Sequence, residues 1–276
     1  MSLENKINEH YTHGTLLESI KEGIIKLGKT IDSVTIDDLS SVDEFHIGGR
    51  IATKKFFDQL NFSENDNIID IGCGLGGTAR YVAQTFKVKV TGIDLTQEYI
   101  TTGNVMSTWV NLDKQVTLNL GNALSLPFKD GSFNGGYMMH VAMNIKDKEK
   151  LFSEIYRVLA PGSSFGVYDI MRNKPGELTY PHTWASSEET SNLATPEHYK
   201  KVIEESGFTI TNEKNLRDFS LEFFKQIKEK TIANGGPPPL GLHTLMQKST
   251  PEKLKNMVDA IVSDKIVPFE ILMKKG

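Results

Sequence analysis

Apolar positions set two rhythms along the chain. From residue 67 onward, short continuous apolar runs occur at 67–71, 88–94, 116–120, 135–140 and 164–170, with later ones at 207–211 and 267–274. Runs of that length read as strands buried on both faces. Between them lie segments in which apolar residues recur at helical spacing, over 78–86, 97–112, 147–159, 195–206, 220–233 and 251–262. Strands regularly separated by helices predict right-handed crossovers and an α/β fold built on a doubly wound, seven-stranded, mostly parallel sheet. Before residue 67 the rhythm is helical only. Leu16, Leu17, Ile20, Ile24, Ile25 and Leu27 share one face after a break at 11–14, and a helix over 50–60 leads into the first strand. No strand partner is needed there, so residues 1–48 are expected to form a helical cap over the site rather than part of the core, with 49–276 as the main domain. Two stretches, 172–195 and 216–264, are longer than plain connections and predict a lid or oligomer contacts.

Side chains nearly vanish where the first strand ends. The turn reads Asp70-x-Gly72-Cys73-Gly74-x-Gly76-Gly77, and the next strand closes on a second acid, Asp94. Glycines there let backbone amides approach a ligand, and an acid at the end of the second strand suits ribose hydroxyls. A nicotinamide-binding oxidoreductase shares much of this pattern. Its fingerprint is built for a pyrophosphate, however, which an acid before the first glycine would repel. A cationic nucleoside fits better.

Composition narrows the context more than the chemistry. With 31 basic and 35 acidic residues the formal charge is −4, so nothing suggests a nucleic-acid backbone as partner. No run approaches the length of a membrane span. The single cysteine, Cys73, forms no intrachain disulfide, and a cytoplasmic setting is expected. A homodimer is compatible with the long insertions, and no metal site is expected.

The glycine turn, the acid at Asp94 and Arg157-Val-Leu-Ala-Pro-Gly162 together resemble the class I S-adenosylmethionine-dependent methyltransferases, over residues 45–172. The resemblance implies an enzyme that uses S-adenosylmethionine and releases S-adenosylhomocysteine. It implies cofactor contacts at Asp70, Gly72, Cys73, Gly74, Gly76, Asp94, Leu95, Gln97, Asn122, Ala123 and His140. Gly121-Asn122-Ala123 stands where the family usually has glycine-aspartate-alanine, and the asparagine carbonyl can accept the same bond from adenine.

The His46-Ile47-Gly48 segment and Tyr11 are similar to elements of the sarcosine/dimethylglycine and phosphobase methyltransferases. That likeness points to a small-molecule acceptor such as the amine of sarcosine or dimethylglycine. Those relatives usually carry an aspartate at the position of His140 and a histidine at that of Asn144. The departure, together with nearby methionines, leaves open carbon or oxygen methylation of an apolar quinone or natural product. His140, Tyr11 and His46 are the candidate catalytic residues, His140 first because it ends the fourth strand. Met143, Asn144, Asp169 and Trp184 are the candidate acceptor contacts.

Overall fold

The computed structural model describes residues 10–12 and 14–276. The helical expectation for residues 1–9 lies outside them. Seven strands form one sheet: β1 (Asn67–Ile71), β2 (Lys89–Asp94), β3 (Val116–Leu120), β4 (Phe133–Met139), β5 (Leu159–Arg172), β6 (Phe208–Asn215) and β7 (Ile266–Lys275), in the order β3-β2-β1-β4-β5-β7-β6. Pairs among the first five are parallel, whereas β7 runs antiparallel to both β5 and β6.

The strands are apolar on both sides because both sides are covered. Alternating residues of β4 and β5 point Tyr137, Tyr168 and Ile170 into one layer and Met138, Val167 and Met171 into the other. The first layer packs against α3 (Gly49–Phe57), α4 (Gly77–Phe86) and α10 (Thr250–Val262) through Phe56, Phe57, Val82, Met257 and Ile261. The second packs against α6 (Lys148–Val158) and α7 (Pro196–Glu205) through Leu151, Phe152, Ile155, Tyr199 and Val202. Thr195 caps α7 by accepting from the His198 amide at 3.2 Å, with Pro196 in the first turn.

The amino-terminal helices α1 (Leu16–Lys26) and α2 (Ile36–Asp43) lie beside the glycine turn and α5 (Gln97–Trp109). They share a third apolar cluster with Leu75, Tyr99, Met106, Leu240 and Leu245. Leu245 is contributed by the four-residue helix α9 (His243–Met246), which follows α8 (Arg217–Ala233). A buried ion pair joins the amino-terminal helices to the sheet layer: Arg80 on α4 donates to Asp43 on α2 at 2.7 Å. Gly77 allows this approach, since a Cβ there would lie 2.3 Å from the Asp43 carboxylate. That contact ties the amino-terminal helices to the sheet layer, since removing α2 would leave the Arg80 charge buried without its counterion.

Strand β5 outruns the sequence pattern at both ends. β5 begins at Leu159, where Leu159 pairs with Phe133 before a register shift, and it runs on to Arg172 opposite Ile266. The apolar periodicity of α6 runs to Leu159 and hides the first of these limits. Pairing with the antiparallel β7 carries the strand past the apolar run.

Candidate active site

A cavity of about 300 Å³ opens at the carboxyl ends of β1, β2 and β4, between the sheet and the amino-terminal helices. Gly72, Cys73 and Gly74 form its floor. Gly72 has φ +71°, and a Cβ there would lie 2.3 Å from Val141, so the backbone is bare where the cavity meets the strand ends. Such a cradle exposes main-chain groups to whatever is bound.

Four aspartates line the cavity: Asp43, Asp70, Asp94 and Asp147, the last of which caps α6 by accepting from the Lys150 amide at 2.8 Å. Asp94 ends β2 and is fixed by two backbone amides, accepting from Gly74 at 2.9 Å and Thr96 at 2.8 Å. Burial raises its pKa, and the amide bonds oppose the rise. Asp70 accepts from the Tyr137 hydroxyl at 3.0 Å. Burial pushes its carboxyl up to about 8, with the tyrosine bond opposing and the Asp94 charge adding to the shift. Acids held this way suit a cation and disfavour a phosphate.

The neighbouring wall is apolar, with Ile93, Leu95, Ala123 and Leu124. Asn122 joins them and accepts the Leu124 amide at 2.8 Å, which holds its turn. A bare main-chain cradle, a carboxylate at the second strand's end, a flat apolar slot and two further acids fit S-adenosylmethionine.

The opposite end comes from distant parts of the chain, and Lys146 and Asp147 follow Asn144 on the cavity lining. His140 has φ +57°, and its amide donates to the Tyr168 carbonyl at 2.7 Å. Its ring meets Tyr168 and His46 edge-on at 4.8 and 6.1 Å. Burial, then the neighbouring His46, lowers its pKa well below the usual histidine range. The Tyr11 hydroxyl donates to Asn144 Oδ1 at 3.4 Å, and burial raises the phenol pKa. Phe45, Tyr99 and Leu245 complete the wall.

Of the residues singled out from sequence, Tyr11, His46, Asp70, Gly72, Cys73, Gly74, Asp94, Leu95, Asn122, Ala123, His140 and Asn144 line this cavity. Five others do not, and their surroundings show why. Gly76 is the N-cap of α4, in the left-handed region at φ +76°. Gln97 is exposed and donates to Thr101 at 2.9 Å along its own helix, leaving Tyr99 to face inward. Met143 is a buried core residue. Asp169 is wholly buried and accepts from Tyr199 at 2.8 Å, Ile170 at 2.9 Å and Met143 at 3.1 Å. Trp184 is buried, with its indole stacked on His182 at 4.4 Å and its N–H donated to Ser191 at 3.0 Å. Only its carbonyl reaches toward the site, accepting from Asn144 Nδ2 at 2.7 Å.

Sequence reasoning missed Asp43, Phe45, Tyr99 and Leu245. Phe45 adjoins the histidine segment and was within reach of a closer reading. Leu245 comes from a four-residue helix with no periodic signal.

Residues 69–167 match the family model described as a methyltransferase domain. The chain is similar to the O-methyltransferase resE of Aspergillus sclerotiorum, 26% identical over 231 residues, covering 83% of this chain and 84% of that protein. It is 37% identical over 97 residues to norajmaline N-methyltransferase of Rauvolfia serpentina, covering 35% of this chain and only 33% of that relative. In structure it resembles the geranyl diphosphate C-methyltransferase of Streptomyces coelicolor A3(2), with a TM-score of 0.73, 17% identity, and 100% and 99% of the two chains covered. That last likeness concerns the fold. With this domain and these relatives, the chain is an S-adenosylmethionine-dependent methyltransferase. The chain is also 28% identical over 195 residues to 24-methylenesterol C-methyltransferase 3 of Arabidopsis thaliana, covering 68% of this chain and 49% of that protein. Among the described residues, no helix is long and apolar enough to cross a membrane.

Proposed function

We propose that the enzyme methylates oxygen or carbon of a neutral, largely apolar small molecule. The observation that carries this reading is the position of Asp169. It is sealed beneath the turn at Ala142–Asn144 and pairs with Tyr199, so it offers no counterion to a cationic amine. The side chains at the acceptor end, His140, His46, Tyr11 and Asn144, are uncharged, and Phe45 and Leu245 are apolar. Sarcosine or dimethylglycine nitrogen is the second reading, favoured by the histidine segment, which the Tyr168 hydroxyl holds at the site by donating to the Ile47 carbonyl at 3.0 Å.

In this reading Asp94 accepts from the ribose hydroxyls and Asn122 from the adenine amino group. Leu95 and Ala123 flank the base, and Gly72, Cys73 and Gly74 offer backbone to the amino-acid end near Asp70. When bound, S-adenosylmethionine supplies an activated methyl group. The chain's own residues hold the acceptor in line with it and exclude water, with residues 1–48 acting as the cap. Formation of S-adenosylhomocysteine with a panel of sarcosine, dimethylglycine, a small quinol and a phenolic natural product tests the reading. Turnover of the quinol or phenol is expected, and turnover of the two amines alone would overturn it.

A pH effect follows from Asp70. With its carboxyl pushed up to about 8, the empty site holds it protonated at neutral pH. A cation alongside favours the carboxylate, so binding S-adenosylmethionine should release a proton below pH ~8. Affinity should therefore rise as pH approaches that value and level off above it. Calorimetry at neutral pH in buffers of different ionisation heat measures the release. A binding heat independent of buffer would reject the assignment.

A further inference from the structure

Behind His46 runs a buried chain of polar groups that links the end of α2 to α3. The His46 Nε2 lies 3.2 Å from the Gly49 carbonyl and 3.0 Å from Thr53 Oγ1, and the Thr53 hydroxyl lies 2.6 Å from Glu44 Oε2. Glu44, Thr53 and His46 are 2%, 0% and 7% exposed, so no bulk water substitutes for these bonds. Arg50 fixes the other oxygen of Glu44 at 2.5 Å and stacks over Tyr81.

The proton positions follow from what each group can do. A carbonyl only accepts, so Nε2 carries hydrogen toward Gly49. Thr53 has one hydroxyl proton, and the short bond to the carboxylate takes it. Thr53 Oγ1 then accepts from the same Nε2–H. The bare lone pair of His46 is left on Nδ1, which makes no hydrogen bond among the described residues. His46 lines the cavity, and burial keeps its ring neutral by pushing its pKa down to about 4. His140 has no such arrangement: among the described residues its buried Nε2 has no partner at all. A general base is normally oriented by a third group, and His46 has one where His140 does not.

We propose that Nδ1 of His46 takes the acceptor's proton, and that Thr53 and Glu44 are positioning residues that hold the ring in the required tautomer. This rests on the methyltransferase reading above. The acceptor's electron pair forms the new bond to the methyl carbon. The pair of the broken carbon–sulfur bond stays on sulfur, whose positive charge is cancelled. The acceptor's proton passes to Nδ1, and the Nε2–H bond to Thr53, whose hydroxyl donates in turn to Glu44, stabilises the imidazolium until the proton leaves to solvent. Where the nucleophile is a carbon, the same proton is lost from that carbon after the new bond has formed.

Histidine-selective ¹⁵N NMR of the ligand-free protein tests the tautomer directly. The expected spectrum shows His46 protonated on Nε2 and bare on Nδ1. S-adenosylhomocysteine should move the Nδ1 resonance more than the Nε2 resonance. With an acceptor turned over in the panel, His46→Gln should lower kcat about 100-fold, in the range of general-base losses. Thr53→Val should lower kcat roughly tenfold with the S-adenosylmethionine KM within about twofold, and Thr53→Ser should restore it. A His46 protonated on Nδ1, or an Nδ1 resonance unmoved while calorimetry shows S-adenosylhomocysteine bound, would overturn the proposal alone. Absence of any calorimetric binding would instead remove the cofactor reading beneath it.

Discussion

Replacing Arg80 by methionine is expected to cost about 3–5 kcal/mol of folding stability, the range for breaking a buried ion pair by removing one partner. The guanidinium is wholly buried and donates to four oxygens: Asp43 and the Leu75 carbonyl at 2.7 Å, and the Gly103 carbonyl and Ser107 hydroxyl at 3.0 Å. One side chain thus ties α2, the end of the glycine turn and α5 to α4. Methionine fills similar volume, so the loss is electrostatic and polar rather than a cavity. Burial already raises the pKa of Asp43 against the opposing pull of Arg80, and without Arg80 that carboxylate has no counterion at contact distance among the described residues. Chemical denaturation of the wild type, Arg80→Met and Arg80→Met/Asp43→Asn measures this. The double variant should recover part of the loss, because the stranded charge goes with the arginine. A single-variant change below about 1 kcal/mol would contradict the role given to the pair.

Asp94→Ala should weaken S-adenosylmethionine binding by about 1.5–3 kcal/mol, the worth of hydrogen bonds to a charged group. The carboxylate holds the turn through the Gly74 and Thr96 amides, and it is the acid at the β2 end of the cavity. Asp94→Asn separates its two tasks. An amide can still accept one backbone bond, but it recognises a diol with less charge, so an intermediate loss is expected. Isothermal titration of the three proteins reads it out, and equal affinity across the series would place the ribose elsewhere.

The sheet was readable because its inner strands are buried on both faces and so are nearly uninterrupted apolar runs. Asn67–Ile71 and Val116–Leu120 fall where the apolar residues place them. The cofactor end followed from the same logic, since Asp70, the glycine turn, Asp94 and Asn122 all sit at or just beyond the carboxyl ends of parallel strands. The other end of the cavity has no such rule. Tyr11, His46, Asn144 and Leu245 arrive from four separate segments. A strand-end position also misleads there: Asp169 occupies one, yet the turn at Ala142–Asn144 covers it and the Met143 amide bonds to it. Trp184 and Met143 looked like pocket residues because large apolar side chains suit a pocket and a core equally. The Glu44–Thr53–His46 chain spans the end of α2 and one turn of α3, and an alternation of apolar and polar residues carries no mark of it.

The cofactor reading requires that a sulfonium nucleoside, and not a phosphate ester, occupies the cavity between the glycine turn and Asp94. Isothermal titration of the purified wild-type protein with S-adenosylmethionine, beside a matched titration with NADH, tests this most directly. Saturable one-to-one binding of S-adenosylmethionine with no heat from NADH is the expected result. NADH binding with no response to millimolar S-adenosylmethionine would contradict it.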